Sequence, residues 1–278
     1  MPLTGAVLPL KLDARYMSRH FEKQFGGLSL RTCHSVGEFR QALQLQKDVW
    51  NWTDIELVPV RLFVVAEKIG GHVLGAFSGS DMVGFAYGLP GVRGKQSYLH
   101  SHMLGVREDY RNTGLGRTLK FFQREIALQQ GFDLIEWTFD PLEIKNAYLN
   151  IEKLGAIARR YTVNQYGITT SPLQGGLPTD RLIAEWWIRS RRMQSVLDDG
   201  KHPEIAVVET IDVPSKIYEW KSNPETKSKA AEIQARNRDK FQAAFGRGLG
   251  VIGYERDAVG NGKFLLGQFD EDLNYPEE

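Results

Sequence analysis

A chain of 278 residues, 42% hydrophobic and 25% charged, has ordinary globular composition and is long enough for one large domain or a medium domain with an appendage. A formal net charge of +1 gives no global attraction to nucleic acid, no apolar run approaches a membrane span, and a single cysteine, Cys33, excludes an internal disulfide and a cysteine-rich metal site. The apolar start MPLTGAVLPLKLDARY lacks the basic flank and the length of a secretory leader, so a cytoplasmic location is expected.

Asp13 to Phe25 reads as a short helix closed by Gly26-Gly27, and Leu28 to Cys33 as a strand. Ser35 with Glu38 three residues on forms a capping box for a helix to about Trp50. RLFVVAEKIGGHVLGAF reads as two apolar strands joined at Gly70-Gly71. SGSDMVGFAYGLP turns and enters a third strand, and SYLHSHMLGV is its continuation or the next one, so an antiparallel meander is expected. Leu115, Leu119, Phe122 and Ile126 share one face of a helix that Gly131 closes. FDLIEWTF follows as a strand apolar on both faces around Glu136. DPLE opens another helix, with Asp140 as N-cap and Pro141 at its first position, ended by Gly155. Strands near Ala156 to Tyr166 and Arg181 to Ile188 flank a loop rich in glycine and proline. After Met193, LDDGKHPE reads as a linker, followed by a strand to Val213, a helix from Thr226 to Phe245 and two strands ending near Phe269.

Between the strand HMLGV and the helix lies EDYRNTGLGRTLKFFQ, with Gly114 and Gly116 where glycine would weaken a helix. Such a loop aims backbone N–H groups and the positive end of a helix dipole at one concavity, which suits phosphate. It is not a P-loop, because Arg117-Thr118 replaces Lys-Ser/Thr, nor a Rossmann loop, because Leu119 replaces the third glycine. Arg-x-x-Gly-x-Gly, Arg111 to Gly116, followed by an amphipathic helix, a buried strand, a further helix and EKLGA, resembles the acyl-CoA motif of the GNAT (Gcn5-related N-acetyltransferase) superfamily.

That resemblance implies an α/β (α+β) fold: a mixed, mostly antiparallel sheet splayed at the acyl-CoA cleft. The likeness covers 28–192, with 200–278 as a small α/β C-terminal extension packed on it. It further implies pantetheine paired with Leu104, Gly105 and Val106, and pyrophosphate on the amides of Arg111, Asn112, Thr113, Gly114, Leu115 and Gly116. Arg117 and Asn146 stand beside that site. The co-substrate would be acetyl-CoA or succinyl-CoA, for whose carboxylate Arg93, Arg159 and Arg160 are available, and no metal is required. The acceptor would be a small-molecule amine, with no nucleic acid or membrane partner and a homodimer left open.

An amine must lose a proton before attack, and histidine titrates near neutral pH. His100 and His102 alternate along one strand and so share a face, which resembles the His-x-His of the superfamily's aralkylamine branch. Two histidines satisfied by hydrogen bonds in the sheet are the competing reading. Glu136, a carboxyl in an apolar strand, is the second candidate base. The tyrosine by which the superfamily often protonates the thiolate is replaced by Ile151, which leaves Tyr148, one turn earlier, as candidate acid or as core packing. The alternatives to a small-molecule N-acyltransferase are a CoA-binding regulatory module without turnover and a protein N-acetyltransferase.

Overall fold

The computed structural model describes residues 21–167, 169, 174–204, 206–269 and 273. β1 (Glu22–Phe25) and β2 (Leu28–Thr32) form a hairpin about Gly26 and Gly27, both at positive φ. The described end of the helix expected over 13–25 is therefore strand, since consecutive left-handed glycines make a hairpin turn; residues 13–20 lie outside the described residues. α1 (Val36–Trp50) begins with its capping box: the Ser35 hydroxyl accepts from the Glu38 amide and the Glu38 carboxylate accepts from the Ser35 amide at 2.9 Å.

The hairpin expected across Gly70-Gly71 is not formed. Its first half is a helix, α2 (Val60–Lys68), and only its second half is strand, β3 (His72–Ser78). The β-branched residues favour a strand locally, but Phe63 and Ala66, one turn apart, bury against the sheet. The Phe63 ring stands 4.9 Å from Tyr87 and 6.0 Å from Phe39, so tertiary packing overrides propensity.

β4 (Asp81–Arg93) and β5 (Gln96–Val106) complete the antiparallel meander with β2 and β3. α3 (Leu115–Gln129) then leads to β6 (Leu134–Phe139). The helix expected at DPLE starts later, at Ile144, because the Asp140 carboxylate accepts from the Leu142 amide at 2.8 Å and holds a turn there. α4 (Ile144–Ala147) runs into a wide π-type turn over Tyr148–Lys153, bonded from the Leu154 amide to the Leu149 carbonyl at 2.9 Å. β7 (Ile157–Thr162), β8 (Arg181–Trp187), α5 (Arg191–Asp198), β9 (Glu209–Val213), α6 (Ile217–Ser222), α7 (Lys227–Gly246), β10 (Gly250–Arg256) and β11 (Gly262–Gly267) follow. α5 reaches two residues into the expected linker, and α6 has no counterpart in the sequence reading.

The strands form one sheet in the order β1-β2-β3-β4-β5-β6-β8-β7-β10-β11-β9. Among the described pairs only β5–β6 is parallel. Side chains alternate between the faces: Leu74 and Ala76 of β3 pack with Leu115, Leu119 and Phe122 of α3. Val73 and Phe77 pack on the other face with Phe39 of α1 and Phe63 of α2. The last strands share their core with β6–β8, since Phe241 of α7 stacks on Tyr161 of β7 at 5.7 Å and meets Phe264 of β11 edge-on at 5.1 Å.

Candidate active site

β5 and β6 pair only at Leu99↔Ile135 and His100↔Glu136, yet β5 continues to Val106 and β6 to Phe139. Past His100 the strands part. The same stretch of β5 carries a bulge against β4: Tyr87 faces Met103 and Gly88 faces Ser101, so His102 is the extra residue. A bulge takes backbone groups out of the ladder and re-aims side chains. Between the parted strands lies a cleft of about 500 Å³. His102, Leu104, Asn146 and Asn150 line it, together with Lys120, Trp137, Arg181 and the stacked Trp50–Trp52 pair, whose rings are 4.8 Å apart.

None of residues 105–118 lines the cleft, but Leu104 in its wall is the neighbour of Gly116 in the glycine loop. Asn112 and Gly114 lie in the left-handed region at φ 63° and 90°, which turns the chain into α3. The first bond inside α3 is from the Thr118 amide to the Gly114 carbonyl at 3.0 Å, so the amides of Leu115, Gly116 and Arg117 precede the helical ladder. The two glycines differ. Gly114 is required by its φ, whereas a Cβ at Gly116 would lie 3.8 Å from Leu104 and 3.9 Å from Val106, ordinary contact. Among the described residues nothing forbids a side chain at Gly116, and the position is partly exposed. Thr113 Oγ1 donates to the Tyr110 carbonyl at 2.8 Å, and Arg111 Nε to the Val106 carbonyl at 3.2 Å. Arg117 Nε donates to the Lys153 carbonyl at 3.3 Å, tying the loop to the π-type turn. Gly105 gives room to the rings of Trp50 and Phe85, which a Cβ would meet at 3.2 and 2.9 Å. Leu115 buries its side chain and offers only its backbone.

His100 and His102 do share a face, with ring centroids 5.8 Å apart. His102 also meets the Tyr87 ring edge-on at 5.8 Å. Burial, with the neighbouring His102 next in weight, pushes His100 down to about 4, and burial lowers His102. Both imidazoles are therefore neutral at pH 7.

Glu136 is not an available base. It is 2% exposed, receives both terminal nitrogens of Arg93 at 2.6 and 2.8 Å, and is also bonded by Arg160. A carboxylate neutralised by two guanidiniums is a poor proton acceptor. Arg160 also holds Glu185 at 2.9 Å and Arg159 holds it at 3.0 Å. The three arginines considered for an acyl carboxylate are thus engaged in a partly buried network. Tyr148 does not line the cleft either: it lines a separate cavity of about 720 Å³ with Arg256, Asp212 and Lys263. Its ring lies 5.0 Å from Lys153 Nζ there. The π-type turn shifts the side-chain phase, so one turn before Ile151 is not the same face. Ile151 is fully buried in apolar core. Asn146 and Asn150 face each other at 3.3 Å.

Sequence reasoning missed Ser101, Lys120, Trp50 and Arg181. The signal for Lys120 was present: it lies on the helix arc of Gly116, Gln123 and Ala127, beside the apolar stripe, where a charge is out of place.

The acetyltransferase (GNAT) family model matches residues 32–149. No curated protein matches the chain. Similar solved structures include the ribosomal-protein-S18-alanine N-acetyltransferase of Escherichia coli, at 15% identity and TM-score 0.45 over 57% of this chain and 92% of that one. A GNAT acetyltransferase of Elizabethkingia anophelis with acetyl-CoA bound is similar at 13% identity and TM-score 0.46, over 59% and 99%. Arabidopsis thaliana NAA60 in complex with acetyl-CoA is similar at 13% identity and TM-score 0.49, over 59% and 99%.

Proposed function

We propose that this chain, which carries a GNAT-family acetyltransferase domain through residues 32–149, moves an acetyl or succinyl group from CoA to the amine of a small molecule such as an amino acid. The observation that carries the reading is the cleft between β5 and β6, which opens past their last pair at His100 and reaches Leu104, the side chain against which Gly116 of the glycine loop stands. Pyrophosphate would rest on the amides of Asn112 to Arg117, the Arg111 amide being bonded to the Glu108 carbonyl at 3.1 Å, and pantetheine would run along Leu104 to Val106 as an added strand. The thioester then lies between the strands, where a β5 amide released by the bulge at His102 stabilises the developing oxyanion.

The amine attacks directly in a ternary complex. His102, with His100 behind it, accepts the proton that the amine sheds, directly or through water. Both imidazoles are neutral at pH 7, though each is a weaker proton acceptor than a free imidazole, and of the two only His102 lines the cleft. The Trp50–Trp52 shelf favours a small acceptor, and Arg181 brings positive charge to the cleft wall, its terminal nitrogens donating to the neutral Asp180 carbonyl at 2.8 Å and Gln174 Oε1 at 3.2 Å instead of to a carboxylate. Residues 28–192 would form the transferase unit and 200–278 an extension of its sheet.

Thiol release from acetyl-CoA and succinyl-CoA, measured against a panel of amino acids, amines and peptides, tests the reading. Intersecting initial-velocity lines with a small amine are expected. Turnover confined to peptides would make this a protein N-acetyltransferase. Tight CoA binding with no acceptor would make it a regulatory module, the reading that the buried Ile151 favours.

A further inference from the structure

We propose that Ser101 and Lys120 form the site that delivers a proton to the departing CoA thiolate. The inference rests on the acyltransferase reading above and supplies the acid that Ile151 and Tyr148 do not.

Ser101 is the first residue of β5 beyond its last pair with β6, and it is 4% exposed. Lys120 reaches it from the middle of α3. Lys120 Nζ donates to Ser101 Oγ at 2.9 Å and lies 3.6 Å from the Trp137 ring centroid on β6. The ammonium thus touches both strands where they separate, and both residues line the cleft. A thioester held between the strands would meet this pair.

The surroundings poise it. The other hydrogen-bond acceptor of Lys120 is Gln123 Oε1 at 3.1 Å, and no carboxylate pairs with it among the described residues. Gln123 Nε2 donates to His72 Nε2 at 3.1 Å, which requires that nitrogen to be unprotonated and fixes the amide with its oxygen toward Lys120. His72 on β3 is held neutral, pushed down to about 4 by burial and by the Lys120 charge. His100 on β5 is neutral, and Glu136 on β6 is occupied by Arg93 and Arg160. Trp186 on β8 adds a ring at 5.7 Å. The aromatic faces favour the cation, while full burial lowers the Lys120 pKa well below that of a surface lysine. The protonated amine is thus held by Ser101, Gln123 and the two rings, and is more acidic than a surface ammonium. A purely packing role does not account for it, since a buried ammonium without a counter-ion is destabilising where methionine would fill the space.

The step balances as follows. The amine nitrogen bonds to the carbonyl carbon, the C–S bond breaks, and its electron pair remains on sulfur. Sulfur takes the Ser101 hydroxyl proton, Ser101 takes a proton from Lys120, and Lys120 becomes a neutral amine. The proton shed by the attacking nitrogen goes to the histidine pair, which releases it to solvent, and solvent returns one proton to Lys120, so that no proton is gained or lost over the cycle.

Two measurements test this on the full-length protein with Lys120→Met and Ser101→Ala. The first needs no turnover: the thiol of bound CoA is titrated by thiolate ultraviolet absorbance. In the wild type it should titrate about one unit or more below free CoA, the effect of a nearby cation. Lys120→Met should abolish that shift, whereas Ser101→Ala should keep most of it. The second is the pH dependence of kcat. The wild type should lose rate at high pH as Lys120 deprotonates, and both variants should fall about 10²-fold with that limb removed and KM for acyl-CoA little changed. The same bound-thiol titration in wild type and Lys120→Met, or a folded variant that keeps its kcat and its high-pH limb, overturns the proposal. A wild type that shows the thiol shift but acylates no amine overturns the acyltransferase reading instead. If Lys120→Met does not fold, Ser101→Ala decides: unchanged kcat overturns the relay.

Discussion

Replacing Gly116 by alanine separates the two reasons a glycine can stand before α3. At Gly114, φ of 90° makes any side chain strained, so a substitution there would disturb fold and ligand together. At Gly116 the added Cβ makes only ordinary contacts, 3.8 Å to Leu104 and 3.9 Å to Val106, and the position is already helical. Alanine there should stabilise the folded chain by roughly 0.5–1 kcal/mol, raising Tm by about 2 °C. If the amides of 115–117 hold the CoA pyrophosphate, the same methyl weakens a charge-assisted hydrogen bond worth about 1.5–3 kcal/mol, so Kd for CoA should rise roughly tenfold or more. Calorimetric titration with CoA and with pantetheine, which lacks the pyrophosphate, reads this directly. Pantetheine should bind both proteins equally. A Gly116→Ala protein that is more stable yet binds CoA as tightly as the wild type would refute the phosphate cradle.

Replacing both His100 and His102 by glutamine should lower kcat/KM about 10²–10⁴-fold near neutral pH while leaving CoA affinity nearly intact. Raising the pH should restore part of the rate until the high-pH limb set by Lys120 takes over, and an unslowed folded variant would exclude the pair as the base. His72 and His100, both near 4 in the fold against 6.5 when free, remain neutral while the unfolded chain takes up protons. Stability should therefore fall as pH drops from about 6.5 toward 4, by about 1.4 kcal/mol per imidazole at about pH 5.5. Urea midpoints at the two ends of that window check the slope, which His72→Gln should flatten. Phe241→Ala removes a fully buried ring stacked on Tyr161 and should cost about 3–5 kcal/mol in one cooperative transition. A calorimetric trace in which 28–192 melts unchanged would show the last strands to be an independent unit.

Local chemistry made much of this protein legible from its residues. The Ser35–Glu38 box, the stripe Leu115–Leu119–Phe122–Ile126, the left-handed Gly114 and the shared face of His100 and His102 all depend on neighbours within a few positions, and periodicity reports those. The strand-like run Arg61 to Val65 became part of α2 because Phe63 found Phe39 and Tyr87, partners that no window around it contains. Glu136 read as a lone carboxyl in an apolar strand, yet Arg93 and Arg160 reach it from β4 and β7. Tyr148 was assigned a face by regular helix spacing, and the π-type turn broke that spacing. Lys120 meets Ser101 and Trp137 only because α3 crosses the sheet where β5 and β6 part. Sequence carried the elements whose energetics are short-range. The charge partners and the floor of the cleft are contacts between distant segments, and strand order alone brings those together.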